Sequence, residues 1–230
     1  MNNQRVKPFI QAVNRLKNAR CDGNKIYYDF QIPGWCHQET MFFLNLVVGH
    51  FLNQDEQYLE IGTYCGKSLV AALYKNYAKA QVIEPFEKHL PDGVHIRSKW
   101  VENISRFGLG SENRVTLHNE KCEQFDGDLP EIGVFYYDGN HDSGHTYEAL
   151  KKYEKYLADN AIIIVDDYYI GGGDAQTPYP GYDVVDGHPV KVDTDRWVSE
   201  NQDKARIVWI MPCENHQAVI LYRRNGHEED

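Results

Sequence analysis

At 230 residues the chain can bury one substantial core but not two ordinary domains with a linker, so a single domain over 1–230 is expected. A formal net charge of −10 argues against a broad phosphate-binding surface, and no run approaches the roughly 18 apolar residues of a membrane span, so neither nucleic acid nor membrane is an expected partner. The five cysteines are odd in number and scattered, and the start lacks the apolar core of a secretory signal, which fits a reducing cytoplasm.

Residues 1–52 read as an N-terminal helical region. It carries the basic residues Arg5, Lys7, Arg15, Lys17 and Arg20, read as the solvated face of a helix. After the Pro33-Gly34 break an apolar helix is expected over 37–52. Strand and helix then alternate. Strands are predicted at 58–61, 81–83, 115–117, 134–137 and 161–165, and helices at 68–77, 97–107 and 146–157, the last with Leu157 on its buried face and Asn160 as its C-terminal cap. Residues 170–190 form a long loop opening on Gly171-Gly-Gly173, which reads either as a lid over a bound molecule or as a surface connection. A short helix around Trp197 follows, then strands at 207–210 and 218–222, joined tightly enough to be antiparallel. This order predicts an α/β fold, a Rossmann-like, doubly wound, mainly parallel seven-stranded sheet with an antiparallel C-terminal strand. Its ligand would lie beyond the carboxyl ends of the strands.

Leu59-Glu-Ile-Gly-Thr-Tyr-Cys-Gly-Lys-Ser68 runs from a strand through a glycine turn into a helix. Gly62 and Gly66 let the backbone turn sharply and a ligand approach closely. A P-loop needs four residues between its first glycine and Gly-Lys-Ser, and only three separate Gly62 from Gly66. The dinucleotide spacing Gly-x-Gly-x-x-Gly is absent as well. Glu60, inside the strand, needs backbone donors or a cationic ligand to offset its burial. Asp138, in Asp138-Gly-Asn-His141, ends the fourth strand, and Asp166-Asp-Tyr168 ends the fifth. Adjacent strands lie about 4.8 Å apart, so Asp138, Asp166 and Asp167 can converge on a hard cation such as Mg²⁺. The alternative is that Asp166 caps a turn while Asp138 contacts the amino group of a ligand. His141, three residues past Asp138, is placed to take a proton from a substrate hydroxyl, with His145 a rival.

The acid followed by Gly-x-x-x-Gly resembles the first motif of class I S-adenosylmethionine-dependent methyltransferases. The strand ending Asp-Gly-x-His, Tyr147-Glu148 in the next helix, and Gly34-Trp35 ahead of the apolar helix over 37–52 are similar to the small-molecule O-methyltransferase branch. The resemblance covers about 33–224. It implies that Glu60, Gly62, Tyr64, Gly66 and Ser68 surround the donor and that Glu84, in Val82-Ile-Glu-Pro-Phe86, holds its ribose hydroxyls. It also implies that Lys121 and Cys122 lie against the adenine, although the family more often has an acidic and then a small residue there, and that Asp138 completes the donor site. The function expected is methyl transfer from S-adenosylmethionine to an oxygen, less readily a nitrogen, of a small polar molecule, with His141 and Asp138 as catalytic residues. A nucleotide-binding NTPase or kinase using Gly66-Lys-Ser68 is an alternative, as is a non-catalytic ligand-binding module of the same fold. A homo-oligomer is compatible with the sequence.

Overall fold

The strands fully buried on both faces set the centre of the fold. In the computed structural model, which describes residues 29–110, 114–168, 188–211 and 216–226, strand β4 (Ile132–Tyr137) is buried at every position. Beside it, strand β5 (Leu157–Val165) is buried from Ala161 to its end. A strand with no polar face must be covered on both sides. The covering elements are helix α1 (Gln38–Phe51), strand β1 (Gln57–Ile61) with helix α2 (Lys67–Leu73), strand β2 (Ala80–Ile83) with helix α3 (Ile96–Arg106), and strand β3 (Val115–His118). Helix α4 (His145–Tyr153), helix α5 (Pro189–Glu200), strand β6 (Ala205–Met211) and strand β7 (Gln217–Arg223) complete it.

The seven strands lie in the order β3-β2-β1-β4-β5-β7-β6. Pairs from β3 through β5 are parallel, and β7 runs antiparallel between β5 and β6. This is the Rossmann-like architecture the sequence predicts, with its antiparallel C-terminal strand. Side-chain alternation divides the core between two faces. Tyr58, Val82, Tyr136 and Ile164 pack with α1, α2 and α3, whereas Leu59, Ile83, Tyr137 and Val165 pack with α4 and α5. The order reverses between β1 and β4, and that reversal leaves a crevice at their carboxyl ends.

Three local expectations are corrected. The helix expected over 146–157 ends at Tyr153 and passes through a 3₁₀ turn at Glu154–Tyr156. Leu157 then starts β5 opposite Ile132, and Asn160 pairs with Arg223 inside that strand rather than capping a helix. Sheet pairing outweighs the helical spacing of Leu150, Tyr153 and Leu157. The helix expected over 68–77 stops at Leu73, where the Asn45 side chain takes the carbonyls of Ala71 and Tyr74. At the far end of the long loop, Pro189 and Val190 already belong to α5, with proline in the first turn where it forfeits no helical bond. The loop expectation otherwise falls on 170–187, and the basic residues of the N-terminal region fall within 1–28, both outside the described residues. Among the described residues no helix is long and apolar enough to cross a membrane.

Helix α5 is anchored by Trp197, which is 1% exposed and stacks on Tyr222 of β7 with ring centroids 6.3 Å apart. Trp197→Ala is expected to lower unfolding free energy by about 3–5 kcal/mol. Urea denaturation checks this, and a loss below 1 kcal/mol would mean that the helix is held elsewhere.

Candidate active site

The crevice is built on a contact that only glycine permits. Gly62, directly after β1, has φ +85°, and a Cβ there would stand 1.8 Å from the Asp138 carbonyl oxygen, at the end of β4. The Gly62 N–H donates to Ile83 O at 3.1 Å and the Asp138 N–H to Ile61 O at 2.9 Å, so the ladder continues past the strand ends and locks the two turns together. Gly66, at φ +86°, precedes α2 and lies against Trp100, which a Cβ would meet at 3.2 Å. Between them Tyr64 is also left-handed, at φ 50°. Its N–H donates to Glu84 Oε2 at 3.0 Å, which holds this strained turn in place.

Glu60 is fully buried. It accepts from the hydroxyls of Tyr58 at 2.6 Å and Ser68 at 2.7 Å. Burial pushes its pKa up to about 7, against the opposing pull of those two hydroxyls. Ser68 is therefore bound to Glu60, and Lys67 Nζ donates to the Gly34 carbonyl at 3.0 Å, tying the leading segment to the turn. Trp35 stays 82% exposed, with its ring 6.2 Å from that of Tyr64. Glu84 accepts a second N–H, from Phe86 at 2.9 Å, on its other oxygen. Each carboxylate oxygen keeps a further lone pair. Past β3, Lys121 pairs with Glu87 at 3.1 Å, and the backbone carbonyl of Cys122 accepts from Lys152 Nζ and the Tyr153 hydroxyl. Burial pushes the Cys122 thiol up to about 12, which keeps it protonated.

At the ends of β4 and β5 the structure brings together Asp138, His141 and Asp167, whose ligand atoms lie within 4.8 Å of one another. His141 Nδ1 is 3.2 Å from Asp167 Oδ2 and Nε2 is 3.6 Å from Asp138 Oδ1. Burial of its carboxyl, then the Asp166 and Asp167 carboxylates, hold Asp138 well above the usual carboxylate range. Asp166 stands apart from this trio. Its carboxylate accepts from the Tyr136 hydroxyl, from Gln217 Nε2 at 2.9 Å and from the Asp167 N–H at 2.9 Å. The imidazole of His141 takes the place expected for Asp166. His145, the rival base, is the first residue of α4; its N–H donates to Asp142 O, and its charge acts on Glu123. One neighbour escaped the sequence reading. His188, just before α5, lies near enough to His141 for that charge to matter, and burial first, then His141, lower its pKa. The legible signal was the His188-Pro189 step at a helix start after the strand-end acids.

Residues 59–168 match the family model described as "Methyltransferase domain". The match spans just under half of the chain. No curated protein sequence matches the chain. Among solved structures, a crystal structure described as a putative O-methyltransferase from Klebsiella pneumoniae is 16% identical, with 92% of this chain and 89% of that one covered and a TM-score of 0.55. The O-methyltransferase from Bacillus cereus, in complex with S-adenosylhomocysteine (SAH), is 12% identical over 93% and 91% of the two chains, TM-score 0.55. A SAH-bound methyltransferase of Podospora anserina is 16% identical over 97% of each, TM-score 0.53. At these identities the similarity is one of fold. The comparisons favour the methyltransferase reading of the sequence, and the nucleotide-binding alternative loses ground because Lys67 is held by the Gly34 carbonyl and Ser68 by Glu60.

The buried carboxyl of Glu60 gives a pH signature. From the ordinary 4.5 up to about 7 the folded chain keeps a proton that the unfolded chain has released, so this group makes stability fall as pH rises through that window. Glu60→Gln removes the fall. The variant should gain on the parent by on the order of 3 kcal/mol between those pH values, read from paired urea titrations. Parallel stability curves would show that Glu60 is ionised throughout.

Proposed function

We propose that the protein transfers a methyl group from S-adenosylmethionine to an oxygen of a small polar molecule. The observation that carries this is the charge of the crevice, where Glu60, Glu84, Asp138, Asp166 and Asp167 gather around a glycine turn. Asp138 is perturbed by the other four. A sulfonium donor with an ammonium group relieves that crowding, whereas a nucleoside triphosphate adds to it. The donor lies against Gly62, Tyr64 and Gly66. Glu84 offers its remaining lone pairs to the ribose diol, and Asp138 faces the donor's ammonium group. Glu60 and Ser68 support the turn from beneath. Lys121 and Cys122 contribute from the adenine side through backbone and stem. The unpaired thiols of Cys36, Cys65 and Cys122 support a reducing, cytoplasmic setting.

Methyl transfer of this kind is a displacement in which the acceptor oxygen attacks the methyl carbon, the carbon–sulfur bond breaks, and the hydroxyl proton must leave. Most of the rate comes from holding the two centres in line. His141 receives the proton. Asp167 on Nδ1 fixes the tautomer that leaves Nε2 as the basic nitrogen and stabilises the imidazolium once it forms.

A second reading is favoured by the convergence of Asp138, His141 and Asp167 on one point. Two carboxylates and an imidazole would hold a divalent cation. This donor set suits Mn²⁺ or Zn²⁺ better than Mg²⁺, which prefers oxygen ligands throughout. Such a cation would supply Lewis-acid polarisation of the acceptor oxygen.

Calorimetry with SAH tests the donor. Binding is expected to the parent, at least tenfold weaker binding to Glu84→Ala, and none of ATP. Tight ATP binding with no response to SAH would overturn the proposal. A methyl-deuterated donor with a soluble small-molecule extract tests transfer. His141→Ala should lose about 10²- to 10⁴-fold in labelled product with donor affinity kept. Turnover that survives exhaustive chelation assigns His141 to the base, and turnover abolished by chelation and restored by Mn²⁺ assigns it to the metal.

A further inference from the structure

The glycine turn after β1 is held at a further point, by helix α3. Asn103 of that helix is 0% exposed, and its Nδ2 donates to the Cys65 carbonyl at 2.9 Å, across 38 residues of chain. A carbonyl only accepts, so the nitrogen of the carboxamide is the atom that faces it. Trp100, three residues earlier, lies against the next residue of the turn, 3.2 Å from where a Gly66 Cβ would stand. Residues three apart share a helix face, so one face of α3 meets Cys65 and Gly66 together. That face is fixed in the core. Trp100 and Ile104 are buried, and Trp100 meets Phe86 edge-on with ring centroids 5.7 Å apart.

The bond acts on a single peptide plane. In a trans peptide the carbonyl oxygen and the following N–H point in opposite directions. With the Cys65 oxygen turned to Asn103, the Gly66 N–H points away from that side chain and donates to Thr63 O at 2.7 Å, which closes the turn. The turn residues do not enforce this by themselves. Turning the plane over reverses the sign of φ at residue 66, and glycine, here at φ +86°, accepts either sign. Tyr64, left-handed at φ 50°, is strained in the arrangement observed. Asn103 also leaves an orphaned atom in the core, because its Oδ1 is buried without a partner. A leucine of similar size would fill the place with no orphan, so what the amide alone supplies is the bond to Cys65.

We propose that Asn103 is a positioning residue for the methyl donor, holding the Cys65–Gly66 peptide from helix α3 in the orientation to which S-adenosylmethionine binds. The assignment rests on the donor site proposed above, at Gly62, Tyr64 and Gly66, and adds a residue from the helix after β2 that does not itself touch the donor. Apparent donor affinity then scales with the fraction of molecules whose turn is held.

Asn103→Leu tests this. Loss of the bond should lower the held fraction to about a tenth, so SAH binds about tenfold more weakly in calorimetry while the thermal midpoint stays within a few degrees of the parent or rises. Hydrogen exchange followed by NMR reads the turn directly. In the free variant the Gly66 amide should exchange about tenfold faster, with amides of β4 such as that of Val134 within about twofold of the parent. Saturating SAH should slow Gly66 again. Asn103→Asp keeps the outline but sets an acceptor against an acceptor, and should weaken SAH at least as much. SAH affinity within about twofold of the parent in either folded variant, or Gly66 and β4 amides accelerating together, would overturn the assignment. In the unaltered protein SAH must slow the Gly66 backbone amide and the Asn103 side-chain amide together, and slowing of the first alone would overturn it without any variant. A parent protein that does not bind SAH fails the donor reading itself and this role with it, whereas SAH binding that ignores Asn103 fails the role alone.

Discussion

The site depends on one close approach, that of Gly62 to the carbonyl of Asp138. The parallel strands β1 and β4 are neighbours where the strand order reverses, and their ends can face a common crevice only if the turn after β1 passes against the turn after β4. At that point a methyl group would sit 1.8 Å from a carbonyl oxygen, well inside any allowed contact. Gly62 therefore does two things at once. Its positive φ aims the chain toward Tyr64 and Gly66, and its missing side chain lets the Asp138 turn close over it. The donor turn, Glu84 and the Asp138-His141 segment are placed relative to one another by this contact.

Electrostatics follows from that geometry. Converging strand ends bring five carboxyl groups into a partly dry crevice, and the protein answers each differently. Glu60 is given two hydroxyls, Glu84 two backbone N–H groups, and Asp166 a hydroxyl, an amide and an N–H. Asp138 and Asp167 are left facing His141. The first three are satisfied internally and shape the site, whereas the last two meet the imidazole of His141. Burial and like charge leave Asp138 poorly disposed to ionise alone, and this imbalance favours a cationic partner over an anionic one.

Two histidines before helices illustrate how the fold spends the same residue type in different ways. His95 sits in an exposed turn and caps α3. His188 precedes α5 at the carboxyl edge of the sheet and leaves its helix uncapped by its side chain. Local sequence treats the two alike, since each is a histidine followed within two residues by a helix. Only tertiary structure separates them, since His188 lies within electrostatic reach of His141.

Much of the architecture was legible in the chain. Nearly unbroken apolar runs such as Ala161–Val165 require cover on both faces, the spacing of Gly62 and Gly66 excludes a phosphate loop, and the acids at 84, 138, 166 and 167 fall at strand ends because strand and helix alternate with short connections. Periodicity could not decide where α4 ends, because Leu157 satisfies both the helical spacing and the pairing with Ile132, and pairing is a property of two strands. Nor could it choose between Asp166 and Asp167. The two are adjacent, and side chains alternate along an extended chain, so one of them must follow Ile164 toward Tyr136 and Gln217. The other, turned by its left-handed backbone at φ 51°, reaches His141. Sequence determined which residues could meet at the crevice. Tertiary structure decided which of them do, because direction at a strand end is set by neighbours distant in the chain.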